Sequence, residues 1–201
     1  MNDMDKHQKI KVIALFGKSG SGKDTTLNKL IKYYGHYCHK IVSCTTRPIR
    51  ENEKDGEDYY FVSPAQFTKL LLNNCFLEAT SFNDWFYGTP SFSFKDNKIN
   101  VGVFNIEGIY ALLEDSRLEV IPVYITAKDK TRLLRCLERE ENPDCSEISR
   151  RFLQDEKDFS EEWDFNWKEY STENDPINEA YWQPTLFQQI ICKWTTLDKI
   201  N

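Results

Sequence analysis

The fold is indicated by residues 11–25, which read KVIALFGKSGSGKDT. A β-branched apolar run ends at Phe16, and residues 17–23 then match the pattern G-x4-G-K of a phosphate-binding loop. Apolar residues recur at helical spacing after the loop, at Leu27, Leu30, Ile31 and Tyr34. At a strand-to-helix turn of this kind, backbone N–H groups close around phosphate oxygens and the helix N-terminus adds positive potential. The residues that we expect to bind the phosphates are Gly17, Lys18, Ser19, Gly20, Ser21, Gly22, Lys23, Asp24 and Thr25.

Asp24 is the one departure from the phosphate-loop pattern, which has Ser or Thr at this position. The hydroxyl normally found there ligates Mg²⁺, whereas a carboxylate beside a triphosphate is repelled unless a cation lies between them. Either Asp24 ligates the metal itself, or Thr25 takes over the role of the hydroxyl. We therefore expect a Mg²⁺ ion at the loop, with both residues as candidate ligands.

Length and composition exclude several classes of protein. The 201 residues, 40% hydrophobic and 14% aromatic, suffice for one domain with its own core. The apolar runs are far shorter than the ~20 residues of a membrane helix, and no signal peptide is recognisable, so we expect a cytoplasmic protein without membrane contact. The net charge of −6 argues against a nucleic-acid partner. Six scattered cysteines lack the spacing of a zinc or redox site.

The periodicity of the chain predicts alternating strands and helices. Strands are expected at 10–16, 40–44, 59–62, 76–82, 101–106 and 120–125, and helices at 23–34, 64–73, 107–114, 128–140 and 145–158. This alternation favours a parallel sheet covered on both faces, with ligands at the carboxyl ends of its strands. Residues 60–90 interrupt the alternation as a small β-rich insert.

A second informative run, residues 43–50, reads SCTTRPIR and is followed by Glu53, Gly56, Asp58, Tyr59 and Phe61. Together with the phosphate loop, this run closely resembles the guanylate kinase family, in which S-x-T-T-R, a second arginine, G-E and D-Y-x-F occur in the same order. The resemblance continues in FLE at 76–78 and YGT at 87–89, and it covers about residues 11–155. It implies a P-loop nucleoside monophosphate kinase that transfers the γ-phosphoryl group of ATP, with Mg²⁺, to GMP or dGMP.

The chemistry of these residue types agrees with an acceptor nucleotide. Guanine presents N1–H and the N2 amino group as adjacent donors, which the Glu78 carboxylate can accept in parallel, while the hydroxyls of Ser43 and Thr89 can serve the edge that includes O6. Arginine and tyrosine side chains hold phosphate by charge-assisted and hydroxyl hydrogen bonds. The resemblance assigns the acceptor phosphate to Arg47, Arg50, Tyr59 and Tyr87. Without the motif, these tyrosines would fit sheet packing and these arginines a solvated loop.

The strand expected at 101–106 ends in Asn105-Ile106-Glu107, where the family usually has Asp-x-Asp. Glu107 can keep the second acid's contact with the bound nucleotide, but Asn105 cannot carry the charge of the first. The carboxylate absent at position 105 and the one present at Asp24 are either two halves of one exchange at the metal site or independent changes.

Five arginines follow in the charged helices. Arg132, Arg135 and Arg139 share one helical face, a pattern typical of a solvated surface, and Arg150 and Arg151 come after a polar turn. Phosphoryl transfer requires cations that reach the site when it closes. The resemblance places Arg139 and Arg151 in this role, with Arg150 as the alternative to Arg151, and it places Arg135 near the adenine.

The match fades after residue 159. Asn174 with the following Asp is similar to a late family Asn-Asp that contacts adenine, although the pair also fits a turn before a proline. The late tryptophans are expected to pack the C-terminal helix and not a ligand: Trp163, Trp167, Trp182 and Trp194.

The sequence thus predicts an α/β fold, a P-loop three-layer sandwich with a central parallel sheet, a small β-rich acceptor-binding insert and a helical lid. The single domain 1–201 would comprise a core (10–42, 99–128 and 159–201), a GMP-binding lobe (43–98) and a lid (129–158). The expected catalytic residues are Lys23, Arg47, Arg139 and Arg151.

Two alternatives stay open. The first is another kinase on the same fold, either of the ribose bisphosphate kinase type, whose loop resembles G-x-S-G-S-G-K-D, or a phage-type deoxynucleoside monophosphate kinase. A ribose bisphosphate kinase would have no use for the base-reading Glu78. The second is a non-catalytic guanylate-kinase-like module that binds phosphorylated proteins, but such modules lose the phosphate loop, whereas Lys23 and three loop glycines are present here.

Overall fold

The structure is a computed structural model that describes residues 9–50, 53–82, 84–139, 141–160, 162–173, 175, 182 and 184–197. Its strands are β1 (Ile10–Phe16), β2 (Cys38–Lys40), β3 (Cys44–Thr45), β4 (Tyr60–Phe61), β5 (Phe76–Phe82), β6 (Trp85–Pro90), β7 (Ile99–Val103), β8 (Leu118–Thr126) and β9 (Lys168–Ser171). Its helices are α1 (Lys23–Tyr34), α2 (Pro64–Leu72), α3 (Ile106–Glu114), α4 (Asp129–Glu138), α5 (Cys145–Asp158) and α6 (Thr185–Leu197).

The central sheet has the strand order β2-β7-β1-β8-β9, and all of its pairings are parallel. At its centre, Leu15 of β1 lies opposite Val103 of β7 and Val123 of β8. Because both faces of β1 are covered, its sequence is continuously apolar and not alternating. The predicted parallel sheet and three-layer arrangement are therefore confirmed.

Two hydrophobic clusters fill the spaces on either side of this sheet. On one face, Ile13 and Leu15 pack with residues of α1 and α6, among them Leu30 and the fully buried Trp194. On the other face, alternate residues of β1 pack with α3 and with a group of aromatic rings. Burying both faces supplies the main stabilisation of the fold.

The expectation that four tryptophans pack the C-terminal helix is half right. Trp182 and Trp194 belong to the α6 cluster. Trp163 lies on the opposite face of the sheet, where its ring contacts Phe16 at 5.1 Å between centroids, and Trp167 packs on Trp163 at the same distance. The segment before β9 packs on the face of the sheet that α3 also covers. The spacing of the aromatic residues in the sequence does not predict which face they cover.

A second, four-stranded sheet with the order β4-β3-β6-β5 forms the predicted β-rich insert. β5 and β6 are antiparallel, and their register places Glu78 opposite Thr89 and Thr80 opposite Tyr87. β3 adds Cys44 opposite Gly88. This pairing aligns side chains from three distant segments on one sheet.

The single strand predicted at 40–44 is wrong. The chain leaves the central sheet after Lys40, where β2 pairs with β7, and enters the second sheet at Cys44. Between them, the Ser93 hydroxyl accepts the N–H of Val42 and donates to its carbonyl oxygen, so that one side chain satisfies the crossing backbone. The apolar residues at 40–44 fit one strand as well as the ends of two short strands, so the local sequence could not distinguish the two cases.

The sequence also misplaced or missed several other elements. β7 ends at Val103, not at 106, because Asn105 is the N-cap of α3 and accepts the Gly108 N–H at 2.9 Å. β6 and β9 were not predicted. Among the described residues, no helix is both long enough and apolar enough to cross a membrane.

Candidate active site

The phosphate-binding loop follows β1, as predicted, and its carbonyl oxygens are held by side chains. Lys23 Nζ donates to the carbonyls of Gly17 and Lys18, at 2.7 and 3.0 Å. Arg132 Nε donates to the Ser19 carbonyl at 2.9 Å, and Thr172 Oγ1 donates to that of Ser21 at 2.8 Å. A carbonyl oxygen pointing at a phosphate would repel it, so these bonds keep loop oxygens away from an incoming anion.

Arg135 completes this set of donors. Its Nη1 lies 3.4 Å from the Gly20 and Ser21 carbonyls and 2.9 Å from Thr172 Oγ1. The loop needs glycine at position 20, where φ is +74° and a Cβ would lie 2.5 Å from the Arg132 carbonyl oxygen. Arg135 therefore lies against the loop itself, and its predicted position near the adenine stays a prediction.

Lys23 is the loop's cation. Burial lowers the pKa of its ammonium group, and the charges of Asp24 and Asp155 partly oppose this shift. A lysine that holds only carbonyl oxygens in a buried site gains from exchanging them for phosphate oxygens, because a full negative charge compensates its desolvation better.

Asp24 and Thr25 occupy the first turn of α1, and both are exposed, whereas Thr26 is buried. The Asp24 charge partly opposes the lowering of the Lys23 pKa and, after burial, contributes to the raised pKa of Tyr59, so the carboxylate lies within electrostatic range of the loop lysine and of one predicted phosphate-binding tyrosine. Mg²⁺ is usually held by one or two carboxylates together with substrate phosphates. An exposed carboxylate with a neighbouring hydroxyl fits that ion.

The base-reading residues predicted in the second sheet lie together. Ser43 Oγ is 3.0 Å from Thr89 Oγ1, and the Thr89 hydroxyl and backbone both hydrogen bond to Glu78. Burial, together with the nearby charge of Glu107, raises the pKa of Glu78. The carboxylate can accept hydrogen bonds from the N1–H and the N2 amino group of guanine, and the two hydroxyls, which can donate as well as accept, can bind O6.

The acceptor arginines are organised by Glu53. This carboxylate binds the guanidinium of Arg47 through both oxygens, at 2.7 and 2.9 Å, and accepts the Arg50 backbone N–H at 2.9 Å. The Arg47 guanidinium also lies 5.6 Å from the centre of the Tyr59 ring, which is 6.2 Å from that of Tyr87. The four predicted phosphate-binding residues thus form one cluster, with Arg47 almost fully buried.

The lid arginines reach this cluster from the other side. Burial lowers the pKa of Arg50, and the positive charges of Arg47, Arg139 and Arg151 lower it further. Arg150 pairs with Glu147, which also accepts a hydrogen bond from Arg151 Nε at 2.8 Å. Arg151 stays the predicted second lid cation, with Arg150 as the alternative.

Some residues have roles that the sequence did not reveal, and one predicted residue lies outside the described part. Glu53 was noted only as part of the motif, and Arg132, Asp155 and Thr172 were not assigned to the loop at all; no local signal marks them. Asn174 falls outside the described residues. Its neighbour Asp175 accepts a hydrogen bond from the Tyr170 hydroxyl and pairs with Lys29 Nζ at 3.2 Å.

Comparison with known proteins agrees with this geometry. A family model described as guanylate kinase matches residues 9–189. The guanylate kinase of Onion yellows phytoplasma is 32% identical over 152 residues, covering 74% of this chain and 72% of that protein. The guanylate kinase of Helicobacter hepaticus is 31% identical, covering 91% and 98%. The crystal structure of guanylate kinase from Anaplasma phagocytophilum superposes with a TM-score of 0.59 at 27% identity, over 92% of this chain and 86% of that one. Because the family model spans most of the chain and the first two of these relatives are more than 30% identical over most of their length, the chain belongs to the guanylate kinase family.

Proposed function

We propose that the protein transfers the γ-phosphoryl group of ATP to GMP or dGMP. The observation that carries this proposal is the half-buried Glu78 carboxylate beside Ser43 and Thr89, on the small sheet whose strand β3 leads directly into the segment with Arg47 and Arg50. A site that reads a base and grips a phosphate is suited to a nucleoside monophosphate, and the intact loop supplies a donor site. The relatives named above carry the name guanylate kinase.

The reaction needs no covalent intermediate. Arg47 and Arg50 bind the acceptor phosphate and screen its charge, so that an oxygen of this phosphate can approach the γ-phosphorus. The Lys23 ammonium group stabilises the negative charge of the phosphoryl group during its transfer. Arg139 and Arg151 add positive charge when the site closes. Mg²⁺, when bound, neutralises charge on the donor phosphates; Asp24 and Thr25 are the side chains that would hold it.

A coupled assay of ADP formation over the common ribo- and deoxyribonucleoside monophosphates tests this proposal. GMP and dGMP should be phosphorylated ~10³-fold or more faster than AMP, CMP or UMP, because a wrong base leaves the buried carboxylate unpaired. Replacement of Glu78 by Gln should reduce this preference more than it raises KM for ATP. Comparable turnover of AMP would contradict the proposal.

One feature favours a second candidate, a kinase of the ribose bisphosphate type. Its loop pattern shares the acidic residue that this chain has at Asp24. Such an enzyme would not need the Glu78, Ser43 and Thr89 cluster. The same assay with ribose bisphosphates as acceptors separates the two activities, and turnover of a ribose bisphosphate without turnover of GMP would select the second.

A further inference from the structure

The Ser19 peptide groups are held from both sides by the two lid helices. The Ser19 N–H donates to Asp155 Oδ2 of α5 at 2.8 Å, and the Ser19 carbonyl accepts from Arg132 Nε of α4 at 2.9 Å. Arg132 Nη2 and Asp155 Oδ2 are themselves 2.6 Å apart. Arg132 is 1% exposed and Asp155 is 8% exposed, so this is a buried ion pair that holds Ser19 through both of its members, while Arg132 Nη1 also pairs with Asp129 Oδ1 at 2.6 Å.

The backbone around Ser19 would otherwise rotate easily. Gly20, directly after it, has φ +74°, and Gly17 has φ +147°; glycine populates both signs of φ. In a trans peptide, the C=O of one residue and the N–H of the next point in opposite directions. Arg132 on the Ser19 carbonyl therefore turns the Gly20 N–H away from itself. Asp155 on the Ser19 N–H likewise turns the Lys18 carbonyl to the opposite side, where Lys23 Nζ binds it at 3.0 Å.

Stability alone does not account for such a pair. Removing two charges from water is expensive, and a buried ion pair can often be replaced by apolar side chains without loss of stability. Here the two charges bind the N–H and the C=O that apolar residues would leave without partners. The pair therefore acts on the orientation of the loop, whatever it contributes to folding.

We propose that Arg132 and Asp155 are positioning residues for the donor nucleotide: they fix the Ser19 peptide groups so that the loop presents N–H groups, not carbonyls, to the phosphates. The inference rests on the proposed function only in taking ATP as the donor. Arg132 precedes Arg139 on the α4 side and Asp155 follows Arg151 on α5, so the bases of both lid helices are fastened to the loop that holds the phosphates.

The test measures binding of Mg·ADP by calorimetry, with KM for ATP and KM for GMP from steady-state assays. Asp155→Ala removes the acceptor of the Ser19 N–H and should weaken Mg·ADP binding and raise KM for ATP by about tenfold or more, with KM for GMP nearly unchanged. Asp155→Asn keeps an oxygen for that N–H and should restore most of the affinity. Asp129→Asn is the matched control, because Asp129 pairs with the same arginine at 2.6 Å but is 77% exposed.

A double variant separates positioning from folding. Arg132→Met with Asp155→Leu removes both charges and leaves no buried charge unpaired, so its Tm should lie above that of Asp155→Ala, yet its affinity for Mg·ADP should remain about tenfold low. If this variant, or Asp155→Ala, binds Mg·ADP as tightly as the wild type, the inference is wrong. A wild-type protein that binds Mg·ADP but phosphorylates no guanine nucleotide would instead overturn the proposed function alone. Should Asp155→Ala not fold, the double variant and Asp155→Asn still decide.

Discussion

Glu78 is the residue that we propose binds the guanine base, and its surroundings disfavour the charged form of its carboxyl group. The Thr89 hydrogen bonds favour the carboxylate, but burial and the neighbouring Glu107 prevail and raise its pKa. A protonated Glu78 would present a donor where guanine also presents donors. Base recognition should therefore depend on pH through this one group.

We expect KM for GMP to rise on acidification, starting at a pH above roughly 4.3, the ordinary pKa of glutamate. The sign follows from the raised pKa: the folded apoenzyme binds the proton more readily than the unfolded chain, so acid favours the fold through this residue while it disfavours GMP. The check is KM for GMP and for ATP against pH in the wild type and in Glu78→Gln. A pH dependence that persists unchanged in the variant would contradict the assignment.

At the scale of elements, the carboxyl edge of the central sheet brings two helix N-termini side by side. β1 and β7 are neighbours in the parallel sheet, so α1, which begins at Lys23, and α3, which Asn105 caps, start from the same edge. Asn105 has a structural role here that requires no charge, since its side-chain oxygen accepts the Gly108 N–H. Asp serves equally well as an N-cap.

This equivalence makes an exchange between Asp24 and Asn105 testable. Asp24→Ser alone should weaken the use of Mg·ATP, because the metal site loses its carboxylate, and Asn105→Asp alone should also impair it by adding a second charge. The double change should recover much of the activity, with a coupling energy of about 1–3 kcal/mol in the double-mutant cycle.

The control for this cycle is the free energy of unfolding. Asn105→Asp should change it by no more than about 0.5 kcal/mol, because Asp also caps the helix. Additive effects on kcat/KM would show that the two positions are independent. Thr25 would then become the better candidate for the metal contact.

At the scale of the whole molecule, the arginine cluster joins three parts of the chain. Arg47 and Arg50 belong to the proposed acceptor lobe, and Arg139 and Arg151 to the proposed lid. Burial and the positive charges of the other three arginines lower the pKa of Arg50, and Glu53 opposes this shift only in part, so we expect an anion at the centre to favour the closed arrangement. In the proposed reaction the substrate phosphates would supply that anion, and closure would exclude the water that otherwise hydrolyses ATP.

We therefore expect a bisubstrate mimic that joins adenosine to guanosine through phosphates to reduce the radius of gyration in X-ray scattering, more than ADP or GMP does alone. Arg151→Ala should lower kcat by about 10²-fold or more, because the positive charge that stabilises the transferring group is lost. Scattering curves that the mimic leaves unchanged would argue against closure. Arg150→Ala is the matched comparison, and it should affect kcat less than Arg151→Ala.

Much of this protein follows from local patterns in the sequence. The strand, glycine loop and Lys23 of the donor site are contiguous, and the apolar runs of the central strands are long enough to predict a parallel sheet covered on both faces. The proposed acceptor residues were assigned because their order along the chain is that of a family motif. Chemistry that is carried by neighbouring residues, or by periodic ones, can be read without the fold.

The tertiary structure alone decided the rest. The residues that hold Ser19 lie 113 and 136 positions away along the chain, and the division of 40–44 between two sheets depends on which distant strand pairs with each half. Asn105, which looks like a lost acid in sequence, is a helix cap in space. Such contacts depend on which strands and helices lie next to each other in the fold. A single arginine or aspartate in the sequence does not indicate which distant residue it will contact.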